Sequence, residues 1–135
     1  MKDGLAVIVV GVDGTQPSLN AFAWAAGLAR REHARLLLVY VEQLNNPAYW
    51  SGVSVSGVRE AAEAYADELR LDATRYLDPI GVPWEVVHMT GDAARGLEAA
   101  AEQAGADCIV VGRSRHGKVP RALITDAARP VVVVP

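Results

Sequence analysis

The residues best suited to chemistry stand in short breaks between apolar runs. Val12-Asp13-Gly14-Thr15 closes the run Leu5–Val12. A carboxylate at such a tip can accept hydrogen bonds from ribose hydroxyls or hold a cation, and the glycine after it lets the backbone approach a ligand. Asp13 also has a plain structural use, as a cap for the helix that begins near Thr15, and the sequence leaves both uses open. Gly112-Arg113-Ser114-Arg115-His116-Gly117-Lys118 places glycines and cations ahead of a second helix start, where free N–H groups and the helix dipole favour an anion such as phosphate. Solvated surface charge accounts for the same pattern. The segment is not a Walker A loop, because Val119 stands where that motif needs Ser or Thr after the lysine.

Other chemistry finds no support. His33, His88 and His116 are scattered, and none pairs with another ligand at helical or strand spacing. His33 reads as a surface residue near the first helix end, and His88 as a packed residue on a strand. No serine sits in a nucleophile elbow. Trp24, Trp50 and Trp84 lie in different elements and read as core or loop packing rather than as stacking platforms. Hydrolysis of a nucleotide needs a positioned water and usually a metal clamp, and the expected site offers only Asp13 and Glu42 as acids. The expectation is therefore not an enzyme, with slow ATP hydrolysis as the alternative.

These segments have to be positioned by regular elements. Leu5–Val12 is a continuous β-branched run, as expected of a strand buried on both faces of a parallel sheet. Thr15 then reads as an N-cap, followed by Pro17 and by Leu19, Phe22, Ala23, Ala26 and Ala29 at helical spacing up to the basic pair Arg30-Arg31. Leu36–Val41 is a second buried strand, at a spacing that suits a crossover helix. Glu42–Gly57, with Asn45-Asn46-Pro47, reads as a long mobile loop. Val58–Leu77 is the longest predicted helix, stopped ahead of Pro79 and Gly81. Trp84–Met89 is a third strand, Asp92–Ala104 a helix closed by Gly105, Asp107–Val111 a fourth strand, Val119–Arg129 a short helix and Val131–Val134 a fifth strand. This alternation predicts an α/β domain of Rossmann-like, doubly wound type, in which ligands sit beyond the carboxyl ends of the strands where the strand order reverses. Val12–Thr15, Val41-Glu42 and Gly112–Lys118 all fall at that point.

The bulk properties agree. A chain of 135 residues suits one domain over 1–135, and its apolar half, rich in Ala and Val, suits a sheet covered by closely packed helices. The formal charge of −3 argues against a nucleic-acid or anionic-membrane footprint. Cys108, the lone cysteine, can form no internal disulfide. The opening apolar run, broken by Gly11 and Asp13, is too short for a signal peptide or a spanning helix. The expected location is the cytoplasm.

With those segments placed, the chain resembles the universal stress protein family over nearly its full length. The carrying residues are Ile8-Val9-Val10-Gly11-Val12-Asp13-Gly14-Thr15, Ala34-Arg35-Leu36-Leu37-Leu38-Val39-Tyr40-Val41, Ala106-Asp107-Cys108-Ile109-Val110-Val111-Gly112 and the closing Ala127-Ala128-Arg129-Pro130-Val131-Val132-Val133-Val134. The resemblance implies a five-stranded parallel sheet in the order 3-2-1-4-5, a stress-linked regulatory or sensing role, and a homodimer formed through the last strand, Val131, Val132, Val133 and Val134. It also implies ATP or another adenine nucleotide as ligand, with Val41 meeting the base through its backbone, Asp13 on the ribose side beside Val12, Gly14 and Thr15, and Gly112 and Gly117 at the phosphates.

One departure bears on that ligand. Many ATP-binding members follow strand four with a Gly-x-x-Gly pair, a spacer, and then Gly-Ser or Gly-Thr, which together wrap ribose and phosphates. Here Gly112 and Gly117-Lys118 match the outer positions, while the stretch between has shrunk to Arg113-Ser114-Arg115-His116 and a lysine replaces the hydroxyl residue. Arg113, Arg115 and Lys118 are the charges available to compensate for the lost loop. A member that works through dimerisation and protein contacts alone is the alternative.

Overall fold

The centre of the molecule is built by residues that have no polar side to show. In the computed structural model, which describes residues 4–43, 55–114 and 117–135 and the side chains of the second segment from residue 57, strand β1 (Val7–Gly11) holds Ile8, Val9 and Val10 at 0% exposure. A strand apolar on both faces must be covered on both, and it therefore pairs in parallel with a neighbour on each side. These are β2 (Arg35–Glu42) and β4 (Cys108–Gly112), in register Val9↔Leu37 and Val9↔Ile109. Beyond them lie β3 (Trp84–Thr90) and β5 (Val131–Val134), giving a five-stranded parallel sheet in the order β3-β2-β1-β4-β5. The expected α/β class and strand order are what the chain adopts.

Alternate residues feed two cores. Ile8, Val10, Leu36, Leu38 and Val110 face helices α1 (Gln16–Glu32) and α2 (Val55–Tyr76) through Ala21, Ala25, Ala29, Leu69 and Ala73. Val9, Leu37, Val39, Ile109 and Val111 face α3 (Ala93–Ala104) and α4 (Lys118–Asp126) through Leu97, Ala100, Ala101 and Leu123. Alanine at the contact positions lets the helices lie close against the sheet. The helix ends follow the sequence signals: Thr15 caps α1 by accepting from the Ser18 N–H, Asp92 caps α3 by accepting from the Arg95 N–H at 3.0 Å, and Gly105 ends α3 at φ 64°.

Some boundaries move. β2 runs to Glu42, which pairs with Thr90, so the acid expected in a loop closes a strand and is buried. α2 begins at Val55, inside the expected loop, and ends at Tyr76 before a 3-10 turn over Asp78–Ile80; residues 44–54 of that loop lie outside the described residues. α4 ends at Asp126 rather than Arg129, because Ala127 turns extended at ψ 141°. Arg129 instead reaches Glu98 at 3.2 Å and Glu102 at 2.7 Å. Trp24, expected to pack, is 41% exposed on α1, while Trp84 is half-buried and donates its indole N–H to Asp78. Trp50 lies outside the described residues.

Candidate functional site

β1 is flanked by β2 on one side and β4 on the other, so the chain leaves the two sides in opposite directions and opens a crevice beyond their carboxyl ends. A cavity of about 620 Å³ lies there. Of the residues singled out in the sequence, it brings together Val12, Asp13, Thr15, Val41, Gly112 and Arg113. Gly14, Gly117 and Lys118 stand next to this wall without lining it, Lys118 being exposed as the first residue of α4, and Arg115 lies outside the described residues. Val39, Leu97 and Val111 supply an apolar floor.

The β1 side of the cavity is a hydrogen-bonded turn. The Asp13 carboxylate accepts through Oδ1 from the Thr15 N–H at 3.0 Å and from the Thr15 hydroxyl at 2.6 Å. Its own N–H donates to the Ser18 hydroxyl at 2.9 Å. Thr15, not Asp13, is the helix cap, so Asp13 acts one step back by fixing Thr15, and its Oδ2 takes no bond from a described residue. Ser18 is buried in this turn and was not foreseen, although its place three residues after a capping threonine is where a capped N–H belongs. Behind the turn, Gly14 at φ 85° has the Tyr65 ring within 3.5 Å of its missing Cβ. Burial first, and then the Asp13 charge, push the Tyr65 hydroxyl up to about 12.

The β4 side is tighter still. A Cβ on Gly112 would stand 2.4 Å from the Pro17 carbonyl carbon and 2.6 Å from the Ser18 nitrogen, so glycine is required for α1 to cross β4 at all. The Arg113 N–H donates to the Val134 carbonyl at 2.7 Å, and the Gly117 N–H to the Ser114 carbonyl at 3.2 Å. Gly117 caps α4 in the left-handed region at φ 65°. The Ser114 hydroxyl lines the cavity wall, its oxygen buried and without a hydrogen-bond partner among the described residues.

Aromatic and ionisable side chains lie beside this site on the α2 face. Tyr40 meets Tyr65 edge-on at 4.7 Å between ring centres and stacks on His88 at 5.1 Å. His88 in turn places Nε2 3.3 Å from the buried Glu42 carboxylate. No sequence signal joins these residues, because they come from two strands and a helix brought together by the β2–β3 register Tyr40↔His88. Among the described residues no group of three or more His, Cys, Asp or Glu could hold a metal ion, and no helix is long and apolar enough to cross a membrane.

A doubly wound α/β domain with its cavity at the point of strand reversal is thus the class that fold and site define. The chain belongs to the universal stress protein family, whose sequence pattern matches residues 5–135. A protein of that family from Burkholderia pseudomallei is 32% identical, with 96% of each chain covered and a TM-score of 0.75. The fold is also shared with a universal stress protein from Archaeoglobus fulgidus in complex with dAMP, at 22% identity, 96% and 98% coverage and a TM-score of 0.72. A universal stress protein in complex with cAMP is similar at 22% identity, with 98% of each chain covered and a TM-score of 0.71. No curated protein sequence matches the chain.

Proposed function

We propose that this chain is a stress-response sensing module that binds an adenine nucleotide in the cavity beyond β1 and β4, and that it signals by binding rather than by catalysis. The observation that carries the reading is the convergence of Val12, Asp13, Thr15, Val41, Gly112 and Arg113 on one cavity of about 620 Å³. A pocket of that size, largely apolar with a few convergent polar groups, suits a small ligand. The base would lie along the Val41 backbone, and the ribose hydroxyls would meet Asp13 through the oxygen that Thr15 leaves open. The phosphate side would face Arg113 and the buried Ser114 hydroxyl, which has no partner among the described residues, with Gly117 and Lys118 at the start of α4. The family structures carrying dAMP and cAMP support this class of ligand.

A binding role is supported by how the nearest acids are employed. Asp13 is committed through Oδ1 to Thr15, and Glu42 points to His88, so neither is placed to activate a water over the phosphate side. The same reading takes the protein as a cytoplasmic homodimer joined along β5. Mass spectrometry of small molecules released by denaturing freshly purified protein tests the nucleotide. Adenine nucleotide near one equivalent per chain is the expected result, and Asp13→Ala should empty the site. Freshly purified protein that carries none and binds none on dialysis against adenosine, AMP and ATP overturns the reading.

A further inference from the structure

The polar side chains of the cavity fall into three groups. Asp13, Thr15 and Ser18 stand at the β1 turn, where hydrogen bonds tie them to one another. Arg113 and Ser114 stand beyond β4. Among the described residues Gln43 alone stands at the β2 end, one residue past Glu42. Val39, Val41 and Gln43 alternate along one side of the chain, and all three line the cavity. The same alternation orients the backbone. The Val39 carbonyl accepts from the Val12 N–H at 3.0 Å and the Glu42 carbonyl from the Gly91 N–H at 2.9 Å, so odd-numbered residues here turn their peptide groups toward β1 and even-numbered ones toward β3. β1 ends at Gly11, which pairs with Val39. The Val41 peptide therefore faces the crevice beyond β1, and Gln43 follows about 6.5 Å further along the chain.

We infer that Gln43 makes the cavity selective for adenine, by reading the N6/N7 edge of a base whose other edge lies on the Val41 peptide. Adenine presents an amino donor and a ring-nitrogen acceptor on that edge, and a carboxamide matches them with its own acceptor and donor. Guanine presents two acceptors there, so one of them would meet the amide oxygen or go unpaired. Gln43 is exposed at the cavity rim and packs in neither core, so its replacement changes what the cavity offers a ligand and leaves the sheet intact. This inference rests on the proposal that the cavity binds an adenine nucleotide with its base along Val41, and goes one step further in naming the side chain that selects the base.

Calorimetric titration of the full chain with AMP and ATP identifies the tighter of the two. That nucleotide, its 7-deaza analogue, in which a carbon replaces N7, and its guanine counterpart are then compared in the parent and in Gln43→Leu. The parent should bind the 7-deaza analogue about three- to tenfold more weakly than the adenine nucleotide, as expected for one neutral hydrogen bond, and the guanine nucleotide at least about tenfold more weakly. Gln43→Leu should weaken the adenine nucleotide by about three- to tenfold and bind it and the 7-deaza analogue alike. That loss of the 7-deaza difference is a coupling between the side chain and N7, which a merely structural role for Gln43 would not produce. A parent that binds the 7-deaza or the guanine nucleotide as tightly as the adenine one, an unchanged affinity in Gln43→Leu, or a 7-deaza difference that survives in that variant overturns this inference while the nucleotide reading stands. Absence of binding by both AMP and ATP overturns the nucleotide reading and this inference with it.

Discussion

Gly112 shows how a residue chosen for chemistry can be explained by packing. In the sequence it stands where a phosphate-contacting glycine is expected; in the structure the nearest atoms to its missing side chain belong to the α1 backbone, at 2.4–2.6 Å. A glycine replaced by alanine where space allows stabilises by about 0.4–1 kcal/mol through the unfolded chain. Here the sign should reverse. Gly112→Ala should lower the urea midpoint by an amount equivalent to about 1–3 kcal/mol, because backbone atoms of α1 have to move. A midpoint at or above that of the parent would show that the crossing is not as tight as these distances require. Tyr65 carries a second residue-scale consequence. Its folded pKa lies at about 12, above the ordinary value of 10.0, with burial as the main cause and Asp13 next. Between those values the unfolded chain loses the phenolic proton while the folded chain keeps it, so this residue's contribution is complete below pH ~10 and is lost as the pH climbs towards ~12. Stability should fall over that alkaline window and fall less in Tyr65→Phe, as read from urea unfolding at pH 9, 10 and 11 (about one unit steps across the onset). An identical pH slope in both proteins would remove Tyr65 from the account.

At the scale of elements, the strands were legible because their chemistry is extreme. Ile8-Val9-Val10 and Leu36-Leu37-Leu38 have no polar alternation, which only a sheet covered on both faces accommodates, and both runs are buried as expected. The caps were legible for a similar reason, since Thr15 and Asp92 accept from N–H groups that the helix leaves orphaned. Boundaries set by tertiary contact were not. Glu42 reads as a loop acid, yet the pairing with Thr90 and the contact with His88 draw it into β2. Arg129 reads as helical, yet its ion pairs with Glu98 and Glu102 need an extended chain after Asp126. The site was legible in part: sequence order places Asp13, Val41 and Gly112 at strand ends, but nothing local says that Ser18 would hold the Asp13 N–H or that Tyr65 would lie behind Gly14. The same placement ranks the cations. Both are exposed, but Arg113 lines the cavity while Lys118 stands beside it. A charge-assisted contact to phosphate contributes about 1.5–3 kcal/mol, so Arg113→Ala should weaken the nucleotide by roughly ten- to a hundredfold. Lys118→Ala should have the smaller effect and the stronger dependence on salt. Calorimetric titration at two salt concentrations reads both, and the reverse order would move the phosphate away from Arg113.

For the whole molecule the open question is what covers the ends of the sheet. β3 and β5 are its two edges, and each pairs with one neighbour only among the described residues. They differ in chemistry. β3 carries Glu85, His88 and Thr90, whereas β5 is four valines, an edge that natural sheets rarely leave bare. Within β5 the residues are not equivalent. Val132 and Val134 pack on the α1–α2 core and Val131 on the α3–α4 core, while Val133 is 37% exposed. Val133 shares the Val131 side of the sheet by alternation, and that side also carries α4, whose Ile124 is 65% exposed. A second copy related by two-fold symmetry would cover both the edge and this apolar strip at once. The proposed homodimer therefore makes a selective prediction. Val133→Lys should shift sedimentation at micromolar concentration from twice the chain mass to the chain mass and leave the urea midpoint of the isolated chain nearly unchanged, because the lysine replaces an exposed side chain. Val132→Lys should instead unfold the protein, since it places a charge in the α1–α2 core. A parent protein that sediments at the chain mass, or a Val133→Lys variant that still sediments at twice that mass, would place the dimer contact somewhere other than β5 or remove it altogether.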